Sequence, residues 1–234
     1  MQTSRSTVMV TGAAGNLGRA VADVFANSGA NLVLLDMRRE DLESRYGLEG
    51  DGRLFAPANL LDFEQVQTAM QAAMARFGRI DVLCNLAGGF RMGDAVHATP
   101  ASTWDFVQDI NIRTLLNMAR AVVPHMLEHG GGKIVNVGAY AAQRGAAYMG
   151  AYCSAKSGVI RLTETMAAEL REQHINVNCV LPTILDTPDN RAAMPDADPT
   201  RWVAPKELAS VVAFLASDAA SAVHGAALPV TGLS

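Results

Sequence analysis

The chain has 234 residues, half of them hydrophobic and 18% charged. That supplies enough apolar side chain for a substantial core, and open α/β sheets of this length fold as one unit. A net charge of −4 and a pI near 5.7, with no basic block, exclude nucleic acid and anionic membrane as expected partners.

The start, residues 1–6, is short and polar and lacks the apolar stretch of a signal peptide. No run approaches the roughly 18 apolar residues of a membrane span. Cys84, Cys153 and Cys179 are odd in number and widely spaced, so reduced thiols in a cytoplasmic protein are expected. His125 and His129 stand four apart near a helix end without a Glu or third ligand, and no metal is expected there.

Thr7 to Thr11 reads as a strand, followed by Gly12, Ala14, Gly15, Asn16, Leu17 and Gly18 in a glycine-rich turn. Leu17, Ala20, Val21, Val24 and Phe25 then recur at helical spacing, so the turn joins a strand to a helix, the context of a dinucleotide fingerprint. Gly12 permits a tight turn, Gly15 lets backbone approach a pyrophosphate, and Gly18 permits close helix packing. The next strand, 31–35, ends at Asp36, an acid suited to a ribose diol and repelling a 2′-phosphate. NAD(H) is therefore favoured over NADP(H), although Arg38 and Arg39 stand close enough in sequence to reach such a phosphate.

Strands are expected at 53–56, 81–86, 133–137, 175–181 and 227–230, and helices at 62–77, 102–129 (broken near Asn111) and 205–216. Residues 183–203 are the one extended irregular piece, long enough to be a functional loop. Strand–helix alternation implies a doubly wound parallel sheet of about seven strands, order 3-2-1-4-5-6-7, with helices on both faces. One dinucleotide-binding catalytic domain is expected over residues 1–234, with ligands beyond the strand C-termini.

A further long helix opens at Tyr152-Cys153-Ser154-Ala155-Lys156 and runs to about Leu170. Positions four apart share a helix face, so the phenol of Tyr152 and the ammonium of Lys156 point the same way. The cation is expected to lower the tyrosine pKa toward working pH.

The glycine turn, Asn85-Leu86-Ala87-Gly88, Asn111, the Tyr152/Lys156 pair and Pro182 stand in an order that resembles the short-chain dehydrogenases/reductases over nearly the whole chain. The resemblance implies that Tyr152 is the proton donor or acceptor, that Lys156 holds the nicotinamide ribose, and that Asn111 supports a water-linked proton path. It further implies cofactor contacts at Asn59, Leu60, Leu86, Ala87, Gly88, Pro182 and Ile184, and a homodimer or homotetramer.

Where that family carries a substrate-polarising serine, this chain has Ala139. Losing one such donor typically costs on the order of 10²–10³ in rate. A slow carbonyl reductase, a replacement donor such as Tyr140 or a backbone N–H, and a strongly electrophilic substrate all remain open. The last is favoured by a narrower resemblance to dihydropteridine reductase, carried by Ala87-Gly88-Gly89-Phe90, Gly138-Ala139 and residues 185–198. It implies a quinonoid dihydropterin-like substrate. A ketone or 3-oxoacyl thioester reductase, an alcohol dehydrogenase, and a dinucleotide sensor without catalysis are the alternatives. Phe90, Ala139, Tyr140, Met149, Thr183, Arg191 and Trp202 are the candidate substrate residues; packing competes for Phe90, Met149 and Trp202. Arg191 holds either an acidic substrate group or one of Asp186 and Asp189.

Overall fold

In a computed structural model describing residues 5–234, seven parallel strands form one sheet in the order β3-β2-β1-β4-β5-β6-β7. They are β1 (Thr7–Thr11), β2 (Asn31–Leu35), β3 (Arg53–Phe55), β4 (Val82–Asn85), β5 (Gly132–Val137), β6 (Ile175–Pro182) and β7 (Ala227–Val230). Most of the polar start, residues 1–4, lies outside the described part of the chain. β1 and β6 are buried along their whole length, as strands covered on both faces must be.

Alternation along each strand sends side chains to two separate cores. Met9, Leu83, Ile134 and Val177 pack under α3 (Phe63–Phe77), α5 (Thr114–Glu128) and α6 (Gly150–Leu170). Val10, Cys84, Val135 and Val180 pack under α1 (Asn16–Asn27) and α8 (Pro205–Leu215). Asp62 starts α3 by accepting from the N–H groups of Glu64 (3.0 Å) and Gln65 (3.3 Å), and Gly78 ends it in the left-handed region.

The structure adds helices to two stretches. α2 (Arg39–Tyr46) follows β2 directly; its single buried residue, Leu42, leaves almost no apolar periodicity to read. Residues 183–203 are not irregular throughout: α7 (Pro188–Ala193) and a turn of 3₁₀-helix at Pro199–Arg201 lie within them. Thr187 caps α7, its hydroxyl oxygen accepting from Asn190 N–H at 3.2 Å. The expected break near Asn111 is a π-helical turn at Asp109–Arg113, between α4 (Ala101–Gln108) and α5. Among the described residues, no helix is long and apolar enough to cross a membrane.

Candidate active site

At the C-terminal end of the sheet lies an open cavity of about 930 Å³. Its wall includes Gly12, Ala14, Gly15, Asn16, Leu17, Gly18, Asp36, Asn59, Leu60, Leu86, Ala87 and Gly88. Gly12 sits at φ +64°, and a Cβ there would stand 3.1 Å from Ala87 backbone; a Cβ on Gly18 would overlap the Gly12 carbonyl oxygen. The turn thus approaches both β4 and its own helix closely because it has no side chains at these points. Thr11 secures the other side, its hydroxyl oxygen accepting from Leu86 N–H at 3.0 Å and Ala87 N–H at 3.1 Å. A backbone cradle without Cβ atoms, at the N-terminus of α1 and open to a cavity of this size, fits a dinucleotide.

Asp36 faces the cavity while its carboxylate accepts from Ala14 N–H (2.9 Å) and Met37 N–H (2.8 Å). Arg38 and Arg39 are turned to acids: Arg38 pairs with Asp41 at 2.7 Å, and Arg39 with Glu43 at 2.8 Å and Glu49 at 3.3 Å. The side-chain oxygen of Asn59 accepts from Leu61 N–H at 3.0 Å, so its own turn uses the acceptor and leaves the amide N–H groups to the cavity.

Gly88 is the hinge between this cavity and the Tyr152/Lys156 pair. A Cβ placed on it would lie 3.2 Å from Lys156 Nζ and 2.9 Å from Asn111 Oδ1. Lys156 is buried and donates to the Val137 carbonyl at 2.8 Å. Burial lowers its pKa to about 8. Tyr152 packs edge-on against Phe90, ring centroids 4.8 Å apart. Its pKa is not lowered: desolvation pushes it up to about 12, and the Cys153 thiol adds to the rise. The Lys156 ammonium is engaged by the Val137 carbonyl, and desolvation of the phenol sets the direction of its shift.

The π-helical turn places Asn111 under the Gly88-Gly89 loop. Its amide donates to the carbonyls of Gly89 and Val107, both at 2.9 Å, and its oxygen accepts from Gly89 N–H at 3.2 Å. These bonds use both amide hydrogens, so the side chain fixes the loop and offers no free donor to a proton path. Asn136 and Thr163 also matter and carry no sequence signal. Asn85 donates to Asn136 and Asn136 to Thr163, both at 2.9 Å, tying β4, β5 and α6 together below the pair.

Several expected positions lie elsewhere. Pro182 is buried at the end of β6 beside Val230, and neither it nor Ile184 is on the cavity wall; Leu185, Thr187 and Asn190 are. The Thr183 hydroxyl donates to Thr231 O at 3.0 Å, away from the cavity. Arg191 is held by Asp186 (2.5 and 2.8 Å), which settles its partner, and that bond keeps the Asp186 pKa low. Trp202 is buried, with the Gly232 backbone against its own. Ala139 is buried in the first core and Tyr140 is exposed. Met149 is half-buried at the start of α6. Among the described residues, no three His, Cys, Asp or Glu side chains cluster as metal ligands.

Residues 12–232 match the family model described as enoyl-(acyl carrier protein) reductase. D-threitol dehydrogenase of Mycolicibacterium smegmatis is 37% identical over 96% of this chain and 90% of its own length. The chain belongs to the short-chain dehydrogenase/reductase family. A 3-oxoacyl-[acyl-carrier-protein] reductase of Thermotoga maritima is 33% identical to this short-chain dehydrogenase/reductase over 99% of the chain and 98% of its own length. The solved 3-ketoacyl-(acyl-carrier-protein) reductase of Brucella melitensis, complexed with NADH, superposes with a TM-score of 0.87 at 29% identity, covering 97% of each chain. This short-chain dehydrogenase/reductase is an NAD(P)-dependent oxidoreductase. The relatives named here carry alcohol- and ketone-directed names, and the narrower resemblance to dihydropteridine reductase finds no support in them.

Proposed function

We propose that this enzyme uses NAD(H) to interconvert a ketone and a secondary alcohol, with Tyr152 as the acid–base group. The observation that carries this is Gly88: one glycine forms cavity wall on one side and lies against Lys156 and Asn111 on the other. A nicotinamide cofactor supplies or accepts hydride. The turn at Gly12–Gly18 would bind its phosphates, Asp36 its adenosine ribose, and Leu86–Gly88, Leu185 and Thr187 the wall nearer the chemistry. The choice of NAD(H) rests on Asp36 facing the cavity while Arg38 and Arg39 are paired with acids.

A phenol pushed up to about 12 is fully protonated at neutral pH and ready to donate to a developing alkoxide. Lys156, buried next to the wall, stabilises the phenolate left behind through its charge. Asn111 acts through the Gly88-Gly89 loop that it holds.

The rim beside Tyr152 favours an apolar carbonyl compound over a polyol. Phe90, Met92 and Tyr148 are exposed there, and the two loops that carry them are joined by Gly93 N–H to Tyr148 O at 2.9 Å. One observation keeps the quinonoid dihydropterin as a second reading: Ala139 is buried among apolar groups and brings no donor. An electrophilic C=N group needs less oxyanion stabilisation than a ketone.

We further propose a homo-oligomer acting in the cytoplasm, where three buried, unpaired thiols stay reduced. The test is an NADH and NADPH oxidation panel with alicyclic ketones, acetoacetyl thioesters, a polyol-derived ketone and quinonoid dihydropterin. Ketone turnover with NADH is expected. Turnover of the dihydropterin alone would transfer the assignment to the second reading.

A further inference from the structure

The end of the cavity beside Asp36 is closed by the last turn of α2. Four hydrogen bonds fix the two residues after Gly12. Ala13 donates to Leu35 O at 3.0 Å and accepts from the Tyr46 hydroxyl at 2.6 Å. Ala14 donates to Asp36 at 2.9 Å and accepts from Arg45 Nε at 2.9 Å. One α2 side chain thus holds each of these two carbonyls, and Arg45 lies on the cavity wall with Asp36.

Four arginines stand near this end; Arg19 is paired with Asp23 at 2.9 Å, and the other three differ in what they are free to meet. Arg38 and Arg39 are off the wall and paired with Asp41, Glu43 and Glu49. Arg45 is on the wall, and among the described residues no carboxylate stands within ion-pair distance of it. Its single Nε bond to Ala14 leaves the outer guanidinium nitrogens, in a planar fork suited to phosphate, without a protein partner.

We propose that Arg45, and not Arg38 or Arg39, is the cation that decides how much negative charge the Asp36 end of the cavity accepts. In the natural chain the Asp36 carboxylate opposes a 2′-phosphate, and Arg45 stabilises the turn. With that acid neutralised, Arg45 becomes the phosphate-binding group for a 2′-phosphorylated adenosine. This rests on reading the cavity as a dinucleotide site.

Calorimetric titration with 5′-ADP and 2′,5′-ADP tests it without turnover. Wild type should bind 5′-ADP more tightly than 2′,5′-ADP. Asp36→Asn keeps an acceptor for Ala14 N–H, and because position 36 also meets the ribose of both nucleotides, its 2′,5′-ADP affinity is read relative to 5′-ADP in the same variant. It should raise 2′,5′-ADP affinity on the order of ten-fold, with the gain fading at high salt. Adding Arg45→Gln should remove the gain, whereas adding Arg38→Gln or Arg39→Gln should leave it. No gain in Asp36→Asn, or a gain that survives Arg45→Gln, overturns the proposal. Failure of wild type to bind either nucleotide would instead remove the dinucleotide reading, and this inference with it.

Discussion

Tyr152 and Lys156 carry opposite shifts from the same cause, burial, and the pair therefore sets a pH profile. Lys156 is charged below about 8 and neutral above it, so kcat/KM for ketone reduction should fall as pH rises through about 8. Lys156→Arg should flatten that limb, because an arginine does not titrate there. Stability should move the other way. An unfolded lysine keeps its proton to 10.5, so between about 8 and 10.5 the unfolded chain binds a proton the folded chain does not. In that window Lys156 makes the protein more stable as pH rises, by on the order of 3 kcal/mol in all. From about 10 upward Tyr152 opposes it, since the folded phenol stays protonated to about 12 while the unfolded one ionises. Denaturant midpoints from pH 7 to 10 give the sign, and a fall over 8–10 would contradict the Lys156 assignment.

Ala139 also bears on the reaction. Its backbone is extended, at φ −157° and ψ 144°, which serine adopts without strain. Ala139→Ser should therefore fold normally and raise ketone turnover, by about ten-fold or more if the added hydroxyl reaches the carbonyl oxygen. Steady-state rates with one alicyclic ketone decide this, and an unchanged kcat would mean that the substrate needs no such donor.

Among the elements, α2 holds the glycine turn through Arg45 and Tyr46 despite a weak sequence signal. Tyr46→Phe takes the donor from the Ala13 carbonyl, and a hydrogen bond of that kind contributes about 1 kcal/mol. NADH should bind roughly five-fold more weakly, with kcat little changed. Fluorescence titration alongside initial rates separates the two, and an unchanged NADH affinity would show that the turn holds without α2. The strands were legible because burial on both faces leaves near-continuous apolar runs such as Val8-Met9-Val10 and Val177 to Leu181. α2 was not, being Arg39-Glu40-Asp41-Leu42-Glu43-Ser44-Arg45-Tyr46 with one residue inside. α7 was hidden by its length and its prolines, although Thr187 before Pro188 is a helix-start signal. The helix break at Asn111 was visible, but its π-helical form, with Asn111 bonded to both Gly89 and Val107, was not.

Across the whole molecule, sheet order followed from strand–helix alternation and right-handed crossovers, since few other topologies satisfy both. The glycine turn, Asp36, Asn59 and Leu86–Gly88 share one cavity because each follows a strand of that sheet. What the sequence could not show was orientation. Thr183, Arg191 and Trp202 lie near the right stretch of chain, yet they turn to Thr231, Asp186 and the interior. Exposed Trp104, Leu116, Phe214 and Leu228 offer apolar surface for contacts between copies. Light scattering at micromolar concentration should give a mass of two or four chains, and a monomer would contradict the proposed assembly.

The most direct measurement is NADH oxidation with a ketone substrate by wild type and by Tyr152→Phe, each with its NADH dissociation constant measured on the same preparation. Turnover should fall about 10²-fold or more in the variant while NADH affinity stays within a few-fold of wild type. Equal turnover in the two proteins would contradict the assignment of Tyr152 as the acid–base group.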